Sequence, residues 1–213
     1  MKIKIVTGYD GDCPFRQATQ ANLDEYCTRW GYQLATKFDG WKPIDRNVGW
    51  RKQELILAEL KDCDWLLWLD ADCMILKMTI PLEHFFSENF DLAVTGPFEN
   101  CSGCGKAVFS AGILLFRCCQ WDQDFVQRWW DSHDEPWRQG KLANCRWDVD
   151  NDWLSCCALA EPEIMAHVKV IPLSAMGHAT YHDDPTQFIM HFYGSTGELK
   201  FGEFRRYAPL VIR

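Results

Sequence analysis

Residues 65–72 have the sequence Trp-Leu-Leu-Trp-Leu-Asp-Ala-Asp, in which five apolar residues precede two carboxylates that are one residue apart. A continuous apolar run of this length is typical of a strand that is buried on both faces, as in the middle of a parallel sheet. Residues two apart in an extended segment point to the same side. Asp70 and Asp72 can therefore face one ligand together at the rim of the sheet.

Two close carboxylates repel each other unless a cation lies between them or one of them is protonated. Charges at the end of a buried strand are costly, which favours a cation here over a pair of solvated turn aspartates. Carboxylate oxygens suit Mg²⁺ or Mn²⁺, and these ions commonly accompany phosphates. A phosphatase of the haloacid dehalogenase type, with Asp70 as its nucleophile, is an alternative. Its motif normally lies on the first strand and is often followed by a small hydroxyl residue, whereas Cys73 follows here.

Strand and helix patterns alternate along the rest of the chain. The apolar and β-rich runs predict strands at residues 2–7, 32–37, 65–69, 92–95, 112–116, 168–172 and 188–192. The remaining periodic segments predict helices at residues 15–31, 50–61, 121–130 and 152–160. This alternation predicts an α/β fold with a mainly parallel central sheet flanked by helices. Ligands of such sheets bind at the carboxyl ends of the strands, where residues 7–9, residues 70–72 and His191 fall.

Composition narrows the class of protein further. The chain has 213 residues, 47% of them hydrophobic, which suits one folded α/β domain. The formal net charge of -8 disfavours a nucleic-acid partner, which would need a basic face. The apolar start is too short for a signal peptide, and no later segment predicts a membrane span. We therefore expect a cytoplasmic protein whose eleven cysteines are free thiols rather than a zinc site.

Several short stretches, taken together and in this order, resemble the family 34 glycosyltransferases. They are Val6-Thr7-Gly8, residues 25–32, Trp50-Arg51-Lys52, residues 68–73, residues 111–121, Asp150-Asn151-Asp152 and residues 191–194. This family comprises fungal and plant galactosyl- and xylosyltransferases of the GT-A fold. The short chain also resembles the compact glycosyltransferase modules of large algal viruses, for which the location would be the host cytoplasm. The resemblance implies one GT-A domain over residues 1–213, with a nucleotide-sugar and metal half to about residue 110 and an acceptor half beyond it.

The resemblance also implies roles for individual positions. The nucleotide-sugar site would comprise Thr7, Gly8, Tyr9, Lys52, Asp70, Ala71, Asp72, Gly112 and Gly194. The first three would line the base and ribose, and Lys52 would help to seat the nucleotide. The metal ligands would be Asp70, Asp72 and His191, and an imidazole nitrogen suits Mn²⁺ better than Mg²⁺. Without the resemblance, a lone histidine in a late strand indicates a hydrogen-bonded core residue.

The chain differs from the family pattern at two places. Ser195-Thr196 stand where relatives carry a Cys-Lys pair whose lysine reaches phosphate, and Lys200 is the candidate substitute. Ser110-Ala111 stand where relatives have Asn-Thr or Asn-Ala, so the sugar contact there is expected to differ.

The predicted activity is the metal-dependent transfer of a hexose, pentose or deoxyhexose from a UDP-sugar to a hydroxyl of an oligosaccharide or glycoprotein. The resemblance implies retention of the anomeric configuration. Asp150, Asn151 and Asp152 are the catalytic candidates near the anomeric carbon, with helix N-capping as their alternative role. In an inverting reaction, Asp150 or Asp152 would act as the base.

A carbohydrate-binding module without catalysis is the remaining alternative, because tryptophan rings stack on sugars. The candidate stacking residues in predicted loops are Trp41, Trp50, Trp137 and Trp147. Trp129 and Trp130, on a predicted helix, are expected to pack in the core.

Overall fold

The structure, a computed structural model, describes residues 1–14, 16–46, 48–100, 107–132, 151, 153–158, 161–178, 186–192, 202, 205–208 and 211. Its strands are β1 (Ile3–Gly8), β2 (Gln33–Lys37), β3 (Trp65–Leu69), β4 (Cys73–Ile75), β5 (Leu92–Asn100), β6 (Ala107–Phe116), β7 (Val168–Ile171), β8 (Met176–His178) and β9 (Ile189–His191). Its α-helices are α1 (Arg16–Trp30), α2 (Arg51–Glu59), α3 (Gln120–Asp131) and α4 (Pro162–Met165). Short 3₁₀ turns lie at Val48–Trp50, Leu60–Asp62 and Leu82–Phe85, and a π-helical segment lies at Trp153–Ala158.

Six strands form the main sheet in the order β2-β1-β3-β6-β5-β7. The strand β1 runs parallel to both β2 and β3, and β5 runs parallel to β7. The strand β6 runs antiparallel to its neighbours β3 and β5. The predicted α/β fold with a mainly parallel sheet is confirmed, and the direction of β6 is an addition to it.

A second, three-stranded sheet has the order β4-β9-β8. Its strand β4 begins three residues after Asp70 and pairs antiparallel with β9, which places Cys73 opposite His191. The predicted late strand at residues 188–192 therefore exists, but it belongs to this small sheet rather than to the main one.

The strand β3 is buried on both faces, as its apolar run predicts. Leu66 and Trp68 pack in a core cluster with residues of α2 and α3. The alternate residues Trp65, Leu67 and Leu69 pack in a second cluster with residues of α1. Burying one leucine side chain contributes about 2 kcal/mol, so this run anchors the strand whose end carries the two aspartates.

The tryptophans divide between core and surface. Trp129 is fully buried and stacks on Trp153 with ring centroids 5.5 Å apart, which confirms its predicted core role. The prediction that Trp50 stacks on an acceptor sugar is wrong, because Trp50 is fully buried in the same cluster, where it is the N-cap residue of α2. Trp41 remains partly exposed, and Trp137 and Trp147 lie outside the described residues.

Asp122 is a buried carboxyl in the first turn of α3. Its Oδ2 accepts hydrogen bonds from the Cys119 amide at 3.1 Å and from the Cys119 thiol at 3.3 Å. Burial raises the pKa of Asp122 to about 7, from 3.8. A carboxyl with a raised folded-state pKa retains its proton longer in the folded than in the unfolded chain. Its contribution to stability is therefore fully present below the unfolded pKa and is lost as pH rises towards the folded pKa.

We expect Asp122→Asn to reduce this pH dependence, because the amide cannot ionise and still offers an oxygen to the Cys119 amide. Urea denaturation between pH 4 and pH 8 measures the free energy of unfolding. That free energy should fall more steeply with pH in the unmodified chain than in the variant. Asp124→Asn, at an exposed position of the same helix, is the control and should retain the unmodified slope. Identical slopes for Asp122→Asn and the unmodified chain would contradict the prediction.

Candidate functional site

Asp70, Asp72 and His191 meet at the carboxyl end of β3. A tight turn, closed by the hydrogen bond from the Cys73 amide to the Asp70 carbonyl at 2.9 Å, connects β3 to β4. The Nε2 atom of His191 lies 3.2 Å from Oδ1 of Asp72 and 3.7 Å from Oδ2 of Asp70. The structure thus brings together the three residues that the sequence analysis named as metal ligands.

Asp70 is held in place by two donors. The Trp68 indole donates to its Oδ1 at 2.8 Å, and the Lys52 ammonium lies 3.0 Å from the same oxygen. Lys52 is buried and also donates to the Ala111 carbonyl at 2.6 Å. These contacts show that Lys52 supports both Asp70 and β6. The role of Lys52 in seating a nucleotide stays a prediction.

Gly112 makes room for His191. A Cβ atom at this glycine would lie 2.2 Å from Cε1 and 2.6 Å from Nδ1 of the imidazole, which is closer than any side chain permits. Because β6 runs antiparallel to β3, Gly112 lies beside the end of β3, where its carbonyl accepts from the Asp70 amide at 2.8 Å. Gly112 is thus needed for the histidine to lie against the sheet.

Ser110 is a neighbour of His191 that the sequence analysis did not assign to the metal site. Its hydroxyl oxygen accepts from the Gly112 amide at 3.1 Å and lies 3.4 Å from Nδ1 of His191. A hydroxyl that accepts the Nδ1 proton leaves the Nε2 lone pair directed towards the carboxylates, as a metal ligand requires. The contact between Ser110 and His191 joins two strands that are far apart in the sequence, so no sequence motif could have indicated it.

Cys73 is the second residue that the sequence analysis missed. Its thiol is buried and donates to the Gly112 carbonyl at 3.6 Å. Burial, followed by the charges of Asp72 and Asp70, raises the pKa of Cys73 well above its usual value. The carboxylate of Asp72, the thiol of Cys73 and a ring nitrogen of His191 all lie within 4.8 Å of one another.

The donor atoms fit a divalent cation. Two carboxylates and one imidazole form a set that binds Mn²⁺ well and Mg²⁺ acceptably. The Nε2 atom of His191 lies within 4 Å of one oxygen of each carboxylate, at 3.2 Å and 3.7 Å. The site lies at the carboxyl end of a strand in an α/β sheet, where ligands of such folds bind.

The carboxyl end of β1 lies beside that of β3, because Val6 pairs with Trp68. Thr7 is buried, and Gly8 allows close packing, since a Cβ there would lie 2.7 Å from Leu55 and 2.8 Å from the Lys37 carbonyl. Tyr9 is 40% exposed. The three residues predicted to line the base and ribose therefore lie next to the carboxylates.

A cluster around Arg51 fixes the loop that follows Tyr9. The guanidinium binds Asp10 and Glu54 at 3.0 Å each and lies over the Trp41 ring, 5.0 Å from its centroid. The Trp41 indole donates to the Tyr9 carbonyl at 3.0 Å. This cluster ties the loop to α2, and the Trp50-Arg51-Lys52 motif places Arg51 and Lys52 next to each other for these two tasks.

The remaining predicted residues divide into two groups. Asn151 lies near the site, because its Oδ1 accepts from the Ala111 amide at 2.7 Å. Ala71 is buried in the turn, where its carbonyl accepts from the Thr19 hydroxyl at 2.5 Å. Asp150, Asp152, Gly194 and Lys200 lie outside the described residues.

Comparison with solved structures identifies the fold as GT-A. The chain superimposes with a TM-score of 0.76 on a glycosyltransferase involved in the glycosylation of the major capsid of PBCV-1. The two sequences are 14% identical, and the superposition covers 97% of this chain and 100% of the other. It also matches the galactosyltransferase LgtC in complex with donor and acceptor sugar analogues, with a TM-score of 0.59, 14% identity and coverages of 98% and 95%. The GT-A fold disfavours the phosphatase alternative.

The sequence comparisons agree with this fold. The model of the galactosyl transferase GMA12/MNN10 family matches residues 3–95. A curated relative, probable glycosyltransferase 7 of Oryza sativa subsp. indica, is 29% identical over 125 residues, which are 56% of this chain and 27% of the relative. The predicted resemblance to family 34 is confirmed over residues 3–95, where the model of this family matches the chain. Among the described residues, no helix combines the length and apolar character that a membrane crossing needs.

We expect Gly112→Ala to weaken Mn²⁺ binding at least about 10-fold, because the new methyl group displaces the His191 ring. Isothermal titration of the metal-free protein with Mn²⁺ measures the effect. Gly202→Ala is the control, because a Cβ at Gly202 would have no atom within 4 Å. Unchanged affinity in Gly112→Ala would show that His191 does not bind the metal.

Proposed function

We propose that this chain transfers a sugar from a UDP-sugar to a hydroxyl of an oligosaccharide or glycoprotein, with Mn²⁺ or Mg²⁺ held by Asp70, Asp72 and His191. The observation that carries the proposal is the convergence of His191 Nε2 on both carboxylates, at 3.2 Å and 3.7 Å. It occurs at the strand end of a GT-A sheet in a chain whose residues 3–95 match the model of the galactosyl transferase GMA12/MNN10 family. The solved galactosyltransferase of the same fold holds donor and acceptor sugar analogues.

The two aspartates have different tasks in this proposal. Lys52 and Trp68 both hold Oδ1 of Asp70, so the other oxygen, Oδ2, faces His191. Asp72 lies deeper, with its side chain 11% exposed against 30% for Asp70. A divalent cation bound there supplies Lewis-acid stabilisation of the departing nucleoside diphosphate.

The donor's nucleoside binds beside the carboxylates. Thr7, Gly8 and Tyr9 line its base and ribose at the end of β1, and the Arg51 cluster holds the loop beyond them in one conformation. Because that loop is already fixed by ion pairs and the Trp41 hydrogen bond, little ordering remains to oppose nucleotide binding.

The sugar lies on the side of β6, near Gly112. Asn151 positions this segment through its hydrogen bond to the Ala111 amide. Asp150 and Asp152, which flank Asn151 in the sequence, stabilise the oxocarbenium character of the anomeric carbon as its bond to the diphosphate breaks. We propose retention of configuration, in line with the family.

Metal-dependent nucleotide binding is the first test. Calorimetric titration with UDP should give at least about 10-fold tighter binding with Mn²⁺ than with EDTA, since a cation held by the carboxylates would offset the negative charge of the diphosphate. Asp72→Asn should remove most of this difference, while Asp124→Asn, at an exposed position, should retain it. Equal UDP affinity with and without metal in the unmodified protein would contradict the proposal. Glycan binding that survives Asp72→Asn would instead favour a carbohydrate-binding module.

Donor choice is the second test. A panel of UDP-sugars, incubated with the protein and Mn²⁺, should give slow hydrolysis even without an acceptor, measured as released UDP. We expect UDP-galactose or UDP-xylose to exceed the other donors, in line with the family. Release of inorganic phosphate from a generic phosphate ester, without release of UDP from any donor, would instead favour the phosphatase alternative.

A further inference from the structure

The thiol of Cys73 lies at the metal site rather than elsewhere in the core. Cys73 follows Asp72 directly and is the cross-strand partner of His191 in the antiparallel pair β4–β9. Residues directly opposite each other in such a pair project from the same face, with Cβ atoms about 5 Å apart. The thiol and the imidazole therefore stand side by side, and Asp72 completes a group whose ligand atoms lie within 4.8 Å of one another.

One thiol, one imidazole and one carboxylate form a different kind of metal site from two carboxylates and an imidazole. Sulfur is a soft donor that selects Zn²⁺ and similar ions over Mg²⁺ and Mn²⁺. In a tetrahedral zinc site, with Zn–S about 2.3 Å and Zn–N about 2.0 Å, neighbouring ligand atoms lie roughly 3.5 Å apart. His191 Nε2 and Asp72 Oδ1 are already 3.2 Å apart. A ligand atom of Cys73 lies within 4.8 Å of those of both residues.

Asp70 is less suited to this second set. Its Oδ1 is engaged by Lys52 and Trp68, and its Oδ2 is farther from His191 Nε2 than Asp72 is, at 3.7 Å. The oxygen-rich set and the sulfur-containing set share Asp72 and His191. Both sets cannot be filled at once, because both need the Nε2 atom of His191, which has one lone pair and binds one ion.

We propose that Asp72, Cys73 and His191 bind a thiophilic divalent cation such as Zn²⁺ or Cd²⁺, and that this ion excludes Mn²⁺ and Mg²⁺ from the site. As the metal–sulfur bond forms, the thiol releases its proton to water, and no oxidation takes place. Binding of the thiophilic ion does not depend on the proposed function. The exclusion of Mn²⁺ does rest on the proposed function, so the binding of the thiophilic ion and the exclusion of Mn²⁺ are tested separately.

Cobalt is a suitable probe, because Co²⁺ occupies zinc sites and its bond to a thiolate gives a charge-transfer absorption that oxygen and nitrogen ligands do not give. The metal-free protein, kept reduced by a phosphine, is titrated with Co²⁺ without nucleotide. We expect a thiolate band that saturates at one equivalent and is removed by Zn²⁺. The band should be absent from Cys73→Ala and from His191→Ala. Zn²⁺ affinity in Cys73→Ser should fall by more than the roughly 10–100-fold cost of losing an outer-shell partner.

A pair of thiols outside the proposed site provides the control. The sulfur atoms of Cys63 and Cys118 lie 3.2 Å apart, and both residues are partly buried. Cys63→Ser removes that pair and should leave the cobalt band unchanged. A band that survives in Cys73→Ala, or disappears in Cys63→Ser, would overturn the proposal, as would the absence of any band in the unmodified protein. Circular dichroism and thermal melting establish that each variant is folded. Cys73→Ser serves in place of Cys73→Ala if the smaller side chain destabilises β4.

Competition experiments test the exclusion. UDP titrated in the presence of Mn²⁺ should bind at least about 10-fold more weakly when Zn²⁺ is added at a concentration that saturates the cobalt-defined site. The same loss should occur in Cys63→Ser. Unchanged UDP affinity would overturn the exclusion. A Cys73-dependent cobalt band without any Mn²⁺-dependent UDP binding would contradict the proposed function and leave the thiophilic site standing.

Discussion

The pairing of β4 with β9 is the interaction on which the candidate site depends. It consists of a ladder of three residue pairs in which Cys73 faces His191, and it continues in the hydrogen bond from the Phe192 amide to the Asp72 carbonyl at 3.0 Å. His191 reaches the carboxylates only through this ladder. A shift of one residue in its register would turn the imidazole to the opposite face of the sheet. The site therefore depends on the short second sheet as much as on the large first one.

The antiparallel strand β6 also holds residues of the candidate site in place. Its direction brings residues 110–112 beside the end of β3, where Gly112 accommodates the imidazole ring and Ser110 contacts Nδ1. The Ala111 carbonyl accepts from Lys52, and its amide donates to Asn151. A parallel strand at this position would have placed the same residues at the far edge of the sheet. One reversal of strand direction thus connects the proposed metal ligands to the residues proposed to act on the sugar.

The sequence singles out the residues that are proposed to carry the chemistry, but it does not reveal the contacts that hold them. Asp70 and Asp72 could be found because the run from Trp65 to Leu69 is apolar on both faces, and a buried strand has a recognisable pattern. His191 was found through the family resemblance. The partners Ser110, Gly112 and Cys73 form their contacts across strands, and neither the direction of β6 nor the register of β9 is encoded in local periodicity. Trp50 was misassigned for a related reason, since its burial depends on α2 packing against the sheet.

The same contacts explain how two carboxylates can stay close in the folded protein before any metal binds. Lys52 is buried and lies 3.0 Å from Asp70, whose side chain is 30% exposed, so one of the two negative charges is offset by a charged neighbour within the protein. Such a partly buried ion pair is a weak source of stability, but removing Asp70 would leave the charge of the buried Lys52 without this carboxylate. The Lys52–Asp70 ion pair therefore orients the Asp70 side chain more than it stabilises the fold. It orients Asp70 with its Oδ2 atom towards His191, so that the proposed cation would bind at a site already arranged and its free energy of binding would not be spent on ordering the site.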